Sequence, residues 1–289
     1  GEEKRMFLII GYIVVVGSVL GGYLPHGDFG ILVQPLEVLI IFGAAFGAYL
    51  TANPLGIVKK SFTYTIRAMK GPKKKAAYLE LLICLYAIFR LAKSKGDLAL
   101  ESHVENPESS SLFSSFPMLM KDHHAMEFMC DYLRLLTLGT TNAYELEAVM
   151  DQELETHHEE EHAVASAVQT AGDGLPALGI VAAVLGVIVT MSSVTEPPEI
   201  LGGLIAAALV GTFLGILGAY GFVGPTASII KNTVDADGKY YSCIKAALVG
   251  HMQGYAPQVS VEFARKTLPH NLRPSFKELD EALQDAPTA

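Results

Sequence analysis

Four apolar segments, each long enough to cross a membrane as a helix, constrain this chain more than any other feature of its sequence. A helix needs ~20 mostly apolar residues to span the hydrocarbon core of a bilayer. The segments lie at residues 6–24, 31–50, 175–194 and 200–223, and a short turn joins the members of each pair. The chain is 51% hydrophobic and 18% charged, more apolar than a soluble core of 289 residues requires. The sequence therefore predicts an all-α integral membrane protein with four transmembrane helices in two hairpins and a helical cytoplasmic domain.

The distribution of positive charge predicts the orientation of these segments. The 21 Lys and Arg residues all lie before the first segment, between the two pairs or after the last segment. Because cytoplasmic loops carry the excess of Lys and Arg, both termini and the central region are expected in the cytoplasm. The expected domains are a hairpin at residues 1–50, a cytoplasmic domain at 51–174, a second hairpin at 175–223 and a cytoplasmic tail at 224–289.

The sequence outside the hairpins has helical patterns. Residues 76–89 are strongly apolar, but they contain Glu80 and are followed by Arg90, so a buried helix is favoured over a fifth span. Residues 263–283 have the pattern of one terminal amphipathic helix. Residues 73–75 are three consecutive lysines, which we expect in a solvated turn near the lipid headgroups.

Net charge and cysteine spacing exclude several classes of function. A net charge of -9 argues against nucleic acid as a partner. The three cysteines, Cys84, Cys130 and Cys243, have no metal-ligand spacing and form no even-numbered disulfide set. Free cysteines without a neighbouring charge behave as small hydrophobic residues, so buried, inert thiols are expected.

One catalytic motif occurs in the sequence. Residues 158–162 match the pattern H-E-x-x-H, in which two His residues one helical turn apart bind zinc and the Glu acts as general base. A zinc protease is therefore one alternative. The surrounding segment is rich in acids and ends before the third apolar segment, which is more typical of a solvated helix face. We therefore predict no metal, no cofactor and no enzymatic activity.

Small residues four positions apart predict close packing of the apolar segments, because helices associate in lipid through close backbone approach. Each segment contains such a pair: Gly17 and Gly21, Gly43 and Gly47, Ala182 and Gly186, and Gly211 and Gly215. The packing could lie within one chain or between several copies of it.

The second pair of apolar segments lacks ionisable residues between positions 175 and 194 and between 201 and 223. An ion that crosses a membrane normally meets an acid or base within it, so here that group would come from elsewhere. Glu37 is the one acid in an apolar segment. It stands about six residues inside the segment, where snorkelling or a structural hydrogen bond explains it at least as well as a transport role.

Two prolines, Pro176 and Pro225, stand at corresponding levels where the second pair of segments meets the cytoplasm. Proline is common in the first turn of a helix and just after a helix end, so each could simply start or stop a helix. Their shared level leaves a hinge as an equal alternative.

The chain resembles, from Met6 nearly to its end, the MotA family of flagellar stator subunits within the MotA/TolQ/ExbB proton channel superfamily. The matching stretches are residues 8–15, 21–23, 34–37, 105–107, 131–135, 173–184 (DGLPALGIVAAV), 210–217 (VGTFLGIL), 254–257 (GYAP), 261–266 (VEFARK) and 273–276 (RPSF). The resemblance also accounts for the acid-rich segment, which family members have without zinc chemistry.

The resemblance implies a proton channel that converts ion flow into torque, in the bacterial inner membrane. It implies a homo-oligomeric ring, expected to be a pentamer, around a MotB-like partner whose transmembrane helix supplies the ion-binding Asp. In the family, the prolines that match Pro176 and Pro225 couple ion passage to the cytoplasmic region, and Ala183 and Thr212 match positions on the ion route. Sodium-driven relatives have Thr where this chain has Ala183, so a proton is favoured, although Thr212 leaves sodium open.

The resemblance also implies contact with the rotor protein FliG through one basic and one acidic residue. Glu101 matches the acidic residue. Lys95 matches the basic residue with a shorter spacing, and Arg90 and Lys93 remain alternatives. An ExbB-like or TolQ-like energiser of outer-membrane processes is the nearest alternative function, but those proteins have three spans with the large cytoplasmic region after the first. A self-contained transporter would be expected to carry its own polar site and internal repeats.

Overall fold

A computed structural model describes residues 2–139 and 142–287, which form helices and no strand. The α-helices, numbered in chain order, are α1 (Glu2–Tyr23), α2 (Phe29–Leu32), α3 (Pro35–Val38), α4 (Ala44–Ala52), α5 (Leu55–Lys70), α6 (Lys75–Lys95), α7 (Glu101–Glu105), α8 (Pro117–Met120), α9 (His123–Thr137), α10 (Ala143–Met191), α11 (Pro198–Leu217), α12 (Gly224–Met252), α13 (Pro257–Lys266) and α14 (Phe276–Gln284). Two π-helical stretches, Leu39–Gly43 and Gly218–Val223, connect α3 to α4 and α11 to α12.

The four predicted spans are confirmed as apolar helical segments long enough to cross a membrane, although two non-helical residues, Val33 and Gln34, interrupt the second. By length and composition, the segments that can cross a membrane are Met6–Tyr23, Phe29–Ala52, part of Ala143–Met191 and part of Pro198–Met252. Most of their side chains are exposed in the single chain, as expected for surfaces that face lipid or other subunits.

The third and fourth spans are parts of much longer helices. Helix α10 has 49 residues and contains Pro176 in its interior, while α11 continues through a π-helical stretch into α12. Pro176 therefore does not start a helix, and Pro225 does not follow a helix end, contrary to the simplest reading of each. An interior proline removes one backbone hydrogen bond, and a neighbouring helix or a π turn can accommodate that loss.

The chain divides into two compact units, each built from two separate stretches. Unit 1 combines the residues up to Gly71 with Glu160–Thr233, and unit 2 combines Pro72–Glu159 with the residues from Val234 onward. The expected domain boundaries after residues 50, 174 and 223 follow the membrane instead of internal contacts, so they differ from these divisions and stay predictions. The difference arises because α10 and α12 continue without interruption past the ends of the apolar segments.

Unit 1 contains the four apolar helices and α5. The Tyr12 hydroxyl of α1 lies 2.5 Å from Thr226 Oγ1, and its ring packs 5.2 Å from that of Phe222. The Tyr49 hydroxyl of α4 lies 2.6 Å from Ser61 Oγ of α5. Hydroxyl groups of tyrosine, serine and threonine thus join the first pair of apolar helices to α5 and to the start of α12 after the fourth span.

Unit 2 has a conventional hydrophobic core around α6. Tyr78, Leu85 and Phe89 of this helix are fully buried, and α13 and α14 pack against it. The Tyr78 ring lies 5.4 Å from that of Tyr240 on α12. The apolar stretch 76–89 is therefore a buried helix of a packed core, as predicted, and not a membrane span.

One expectation for unit 2 is wrong, and a second, the solvated turn of residues 73–75, is wrong for Lys73 while Lys74 is exposed. Residues 263–283 form parts of two helices, α13 and α14, because Pro269 and Pro274 lie between them and interrupt helical hydrogen bonding. Lys73 is mostly buried instead of solvated. Its ammonium nitrogen lies 2.8 Å from Asp122 Oδ2 and 3.1 Å from Asp237 Oδ1.

The three cysteines are buried and free, as predicted. Burial raises the pKa of Cys130 and Cys243 to about 12 and raises that of Cys84 well above its usual range. The nucleophilic thiolate is therefore scarce at neutral pH, and the three side chains act as core packing groups.

Candidate functional site

The third and fourth apolar helices, α10 and α11, cross at very short distance through glycines. A Cβ atom added at Gly215 would lie 2.5 Å from the carbonyl oxygen of Leu175, and one added at Gly186 would lie 2.7 Å from Ala208 Cβ. No larger side chain fits at either position without moving a helix backbone. The predicted pairs Ala182 with Gly186 and Gly211 with Gly215 thus pack within one chain.

The glycines of the first two spans are arranged differently. A Cβ atom at Gly17, Gly21 or Gly47 would meet no described atom of the chain within 4 Å. At Gly43 the nearest such atom is Leu39 Cδ1, at an ordinary contact distance of 3.7 Å. These small residues therefore leave open helix surface in the single chain.

The structure brings Ala183 and Thr212 to the same part of the α10–α11 crossing. A Cβ atom at Gly211 would lie 3.3 Å from the backbone nitrogen of Ala183, and one at Gly179 would lie 3.2 Å from Thr212 Cα. The side chains of Ala183 and Thr212 are both partly exposed. Two residues that are 29 positions apart in the sequence therefore flank one contact.

Pro176 and Pro225 lie near one end of the same helix pair. A Cβ atom at Gly172, one turn before Pro176, would lie 2.9 Å from Val223 Cγ1 and 3.7 Å from the nitrogen of Gly224. The π-helical stretch Gly218–Val223 immediately precedes Pro225, and the Gly224 N–H donates to the carbonyl of Ala219 five residues back. The two prolines thus occupy adjacent weak points in the backbone hydrogen bonding of α10 and α12.

The second π-helical stretch contacts the first. A Cβ atom at Gly218 would lie 3.0 Å from the ring of Phe42, which belongs to Leu39–Gly43. Ile41 and Ala219 are buried in the same small hydrophobic cluster. Such π turns often occur at functional positions because they locally change the register of a helix. Sequence reasoning missed both, since no residue pattern distinguishes them from ordinary helix.

Glu37 lies deeper in the helix packing than its position in the sequence suggested. One carboxylate oxygen, Oε2, lies 2.9 Å from the place of a Cβ atom on Gly211, and Oε1 lies 3.7 Å from that place on Gly186. The side chain is partly buried. It is thus directed at the contact between α10 and α11 and not at the end of its own helix.

The three residues predicted to contact a rotor lie in unit 2 but differ in their surroundings. Lys95, at the end of α6, and Glu101, at the start of α7, are exposed. Burial, together with the positive charge of Lys95, lowers the pKa of His103, so the neutral imidazole is favoured there. Arg90 is partly buried, and its guanidinium donates hydrogen bonds to the carbonyl oxygens of Ala286 (3.1 Å) and Pro287 (2.5 Å).

The acid-rich segment of α10 pairs with α5 in unit 1. The buried Glu161 carboxylate accepts a hydrogen bond of 2.5 Å from the Tyr64 hydroxyl and lies 3.7 Å from the Arg67 guanidinium. Glu160 is exposed and lies 3.8 Å from Lys60. Exposed acids dominate the rest of the segment, as predicted, whereas the burial of Glu161 was not foreseen.

Several of the quoted sequence stretches pair with one another in unit 2. Arg134 donates a 2.6 Å hydrogen bond to Glu105 and a 2.7 Å bond to Asp131. Arg265 donates to both carboxylate oxygens of Glu262 and to the carbonyl of Pro274. These residues therefore hold the fold of unit 2 together, and sequence spacing alone gave no sign of their pairing.

Comparison with known proteins gives matches over nearly the whole chain. A family model described as motility protein A N-terminal matches residues 9–96, and the model of the MotA/TolQ/ExbB proton channel family matches residues 121–241. Motility protein A of Escherichia coli (strain K12) is 43% identical over 282 residues, which cover 96% of this chain and 94% of the relative. Chemotaxis protein LafT of Vibrio parahaemolyticus is 33% identical over 278 residues, covering 96% of this chain and 98% of the relative.

Two solved structures share the fold. The flagellar MotAB stator complex from Bacillus subtilis contains a chain with a TM-score of 0.72 and 26% identity, covering 90% of this chain and 95% of that one. A chain of C. jejuni MotAB has a TM-score of 0.77 and 23% identity, covering 94% of this chain and 99% of that one. The overall helical fold of this chain is therefore one that solved structures already show.

Proposed function

The chain belongs to the motility protein A family, within the MotA/TolQ/ExbB proton channel family, and we propose that with a MotB-like partner it forms a proton channel that drives a flagellar rotor. It is a flagellar stator subunit and a multi-pass membrane protein. The observation that carries this conclusion is the 43% identity to a motility protein A over 96% of the chain. The role is that of an ion-channel subunit and not of an enzyme.

The α10–α11 crossing supports the choice of ion route. Ala183 and Thr212 flank this crossing, and the third and fourth apolar segments, to which they belong, contain no Asp, Glu, Lys, Arg or His. A MotB-like subunit would supply the ion-binding Asp, in line with the MotAB complexes of the relatives. Ala183 offers no hydroxyl group to replace the hydration shell of sodium, which favours a proton as the transported ion.

The positions of Pro176 and Pro225 support a mechanism that couples ion flow to movement of α10 and α12. A proton that moves down the membrane potential releases about 2.3 kcal/mol per 100 mV, enough to shift a two-state equilibrium by about fifty-fold. Pro176 lies one turn after Gly172, which packs closely against Val223, and Pro225 follows the π-helical stretch Gly218–Val223. At such positions the hydrogen-bonding register of a helix can change at low cost. A change in charge at the crossing would thereby change the direction of α10 and α12 beyond the prolines.

Lys95 and Glu101 are the proposed contacts to the rotor protein FliG, because both are exposed and of opposite charge. Arg90 is the weaker choice, since its guanidinium binds two backbone carbonyls of the chain itself. Charges at the rim of an interface mainly affect encounter rate and orientation, so substitution of one of them is expected to have a mild effect.

The open glycines of the first two spans support assembly into a ring. Gly17, Gly21 and Gly47 leave space for close approach of another helix, which a neighbouring copy of the chain would supply in an assembly of several copies. We propose a homo-oligomeric ring, a pentamer, embedded in lipid of the bacterial inner membrane with both termini in the cytoplasm. The net charge of -9 gives no basis for nucleic acid binding.

Complementation tests this function. A motile bacterium that lacks its stator genes is supplied with this chain and its MotB-like partner, and swimming speed is measured with an uncoupler and, separately, without sodium. We expect rescue that the uncoupler abolishes and sodium removal does not. Swimming that survives the uncoupler but stops without sodium would contradict the proton assignment. Rescue of an ExbB-deficient or TolQ-deficient strain, without rescue of swimming, would contradict the stator role.

A further inference from the structure

Glu37 combines an unusual position with an unsatisfied polar atom. Its carboxylate lies against the crossing of α10 and α11, where Gly186 and Gly211 leave room for it. Among the residues that the structure describes, Glu37 Oε2 is buried and has no hydrogen-bond partner. Buried carboxylate oxygens are normally bonded, so an unbonded one calls for a functional explanation.

The depth of the carboxyl group excludes snorkelling as that explanation. Oε2 lies at the same depth along the helices as Ala183 and Gly211. Ala183 lies 8 residues before Met191 at the end of α10, and Gly211 lies 13 residues after Pro198 at the start of α11. At 1.5 Å per residue these positions are about 12 and 20 Å from the helix ends. In a hydrocarbon core ~30 Å thick, a glutamate side chain at this level cannot reach the headgroups.

Local backbone structure places the side chain there. Helix α2 ends at Leu32, and α3 begins again at Pro35 after two residues that are not helical. The Gln34 amide donates a 3.0 Å hydrogen bond back to the carbonyl of Ile31. This break interrupts the second span just before Glu37. As a result, the Glu37 carboxyl group in the first turn of α3 is directed toward α11, which contacts both α2 and α3.

The surroundings of Glu37 favour a neutral, protonated carboxyl group over a structural ion pair. The apolar stretches of α10 and α11 contain no Lys, Arg or His that could pair with it. A single carboxylate without a partner is costly at this depth and is relieved by binding a proton. The carboxyl group also lies beside Ala183 and Thr212, the residues proposed for the ion route.

We propose that Glu37 is a second proton-carrying acid of the channel, supplied by this chain itself and acting in series with the acid of the MotB-like partner. This inference rests on the proposed function. On loading, a hydronium ion gives one proton to the Glu37 carboxylate: its O–H bond breaks, an O–H bond forms on Oε2 and water leaves. On unloading, that proton passes to the carboxylate of the partner, which becomes neutral while Glu37 becomes ionised. No electrons are transferred.

Proton flux through the purified complex with its partner tests the proposal. Wild type, Glu37→Gln, Glu37→Asp and Glu199→Gln complexes are reconstituted in lipid vesicles that contain a pH-sensitive dye, and a potassium diffusion potential drives proton entry. Gln keeps the shape and hydrogen-bonding capacity of Glu but cannot release a proton, whereas Asp can. Glu199 is an exposed acid in the first turn of α11 and serves as the matched control.

We expect Glu37→Gln to lower proton flux at least tenfold at equal amounts of assembled partner, Glu37→Asp to keep more flux than Gln, and Glu199→Gln to match wild type. Flux of Glu37→Gln within twofold of wild type would overturn the inference and leave the proposed function standing. Absence of proton flux in the wild-type complex would instead count against the proposed function itself.

Infrared spectroscopy keeps the test decisive if Glu37→Gln does not assemble. Wild-type and Glu37→Asp complexes are compared for the C=O stretch of a protonated carboxylic acid, which shifts in D₂O. With glutamate labelled with ¹³C, we expect an isotope-shifted band in wild type that Glu37→Asp lacks. If both complexes give the same labelled band, or neither gives one, Glu37 does not carry a proton and the inference fails.

Discussion

Arg90 and Lys95 show how two cations on one helix acquire different roles. Both lie near the end of α6, and the sequence offered either as a rotor contact. The Arg90 guanidinium is held by the carbonyls of Ala286 and Pro287 and lies 5.5 Å from the centre of the Tyr86 ring. Arginine presents several hydrogen-bond donors in one planar group and is therefore well suited to bind two neighbouring carbonyl oxygens. Lys95 is exposed beside His103.

These surroundings predict separate effects of substitution. Arg90→Ala should lower the free energy of unfolding by about 1–2 kcal/mol, because two charge-assisted hydrogen bonds to the C-terminal segment are lost. Lys95→Glu should leave the free energy of unfolding within about 0.5 kcal/mol of wild type, as is usual for an exposed site, and should reduce swimming. Thermal unfolding in detergent and swimming speed measure the two effects. Equal stability of Arg90→Ala and wild type would argue against the structural role.

At the scale of elements, the pairing of α10 with α11 depends on the absence of side chains. Gly179, Gly211 and Gly215 place backbone atoms of one helix against those of the other. Helices in lipid lack a hydrophobic drive toward each other, so van der Waals contact at short distance has to hold them together. Pro176 adds a weak point to α10 without ending it, because the close partner helix restricts where the backbone can go.

The glycine contacts predict that adding one methyl group lowers the free energy of unfolding at some glycines and not at others. Gly215→Ala would place Cβ 2.5 Å from the Leu175 carbonyl oxygen, and we expect a loss of about 1–3 kcal/mol, typical of overpacking. Gly202→Ala on the same helix meets no described atom within 4 Å and should change the free energy of unfolding by less than about 1 kcal/mol. Thermal unfolding of both variants in detergent gives the comparison. Equal effects would show that the crossing is looser than described.

At the scale of the whole molecule, neither compact unit is a continuous piece of chain. The core of unit 2 joins α6 to residues of α12 that lie more than 150 positions later, as in the hydrogen bond of 3.0 Å from the Tyr78 hydroxyl to the Ala236 carbonyl. Tyr240, Ile244 and Leu248 of α12 are buried in the same core. The membrane hairpin is therefore inserted between the two halves of unit 2 in the sequence.

This arrangement predicts which fragment folds alone. Residues 72–159 by themselves would expose the surface that Tyr240, Ile244 and Leu248 cover, at a loss of about 1.5–3 kcal/mol for each large side chain. Such losses are a large part of the 5–15 kcal/mol that typically stabilises a domain. We expect no cooperative thermal unfolding of residues 72–159, measured by circular dichroism, and a cooperative transition when residues 234–287 are joined to them by a flexible linker. A cooperative transition of the first fragment alone would contradict the described core.

The sequence by itself determined the fold class, the four spans and the family, because each depends on signals that are local. A run of ~20 apolar residues, the placement of Lys and Arg and a stretch such as DGLPALGIVAAV are readable without knowing what lies nearby. The burial of residues 76–89 could also be predicted from local sequence, because Glu80 and the following cations make a membrane span unfavourable. Ala183, Thr212, Pro176 and Pro225 were named from such stretches.

Tertiary structure decided everything that depends on distant neighbours. The sequence predicted a solvated Lys73, but Asp122 and Asp237 lie beside it. Arg90 was a candidate for rotor contact, but its guanidinium binds the carbonyls of Ala286 and Pro287. Glu37 lies six residues inside its apolar segment in the sequence, yet its depth is set by where Gly186 and Gly211 lie on two other helices. Contact between residues far apart in the chain depends on helix packing, which hydrophobic periodicity does not encode.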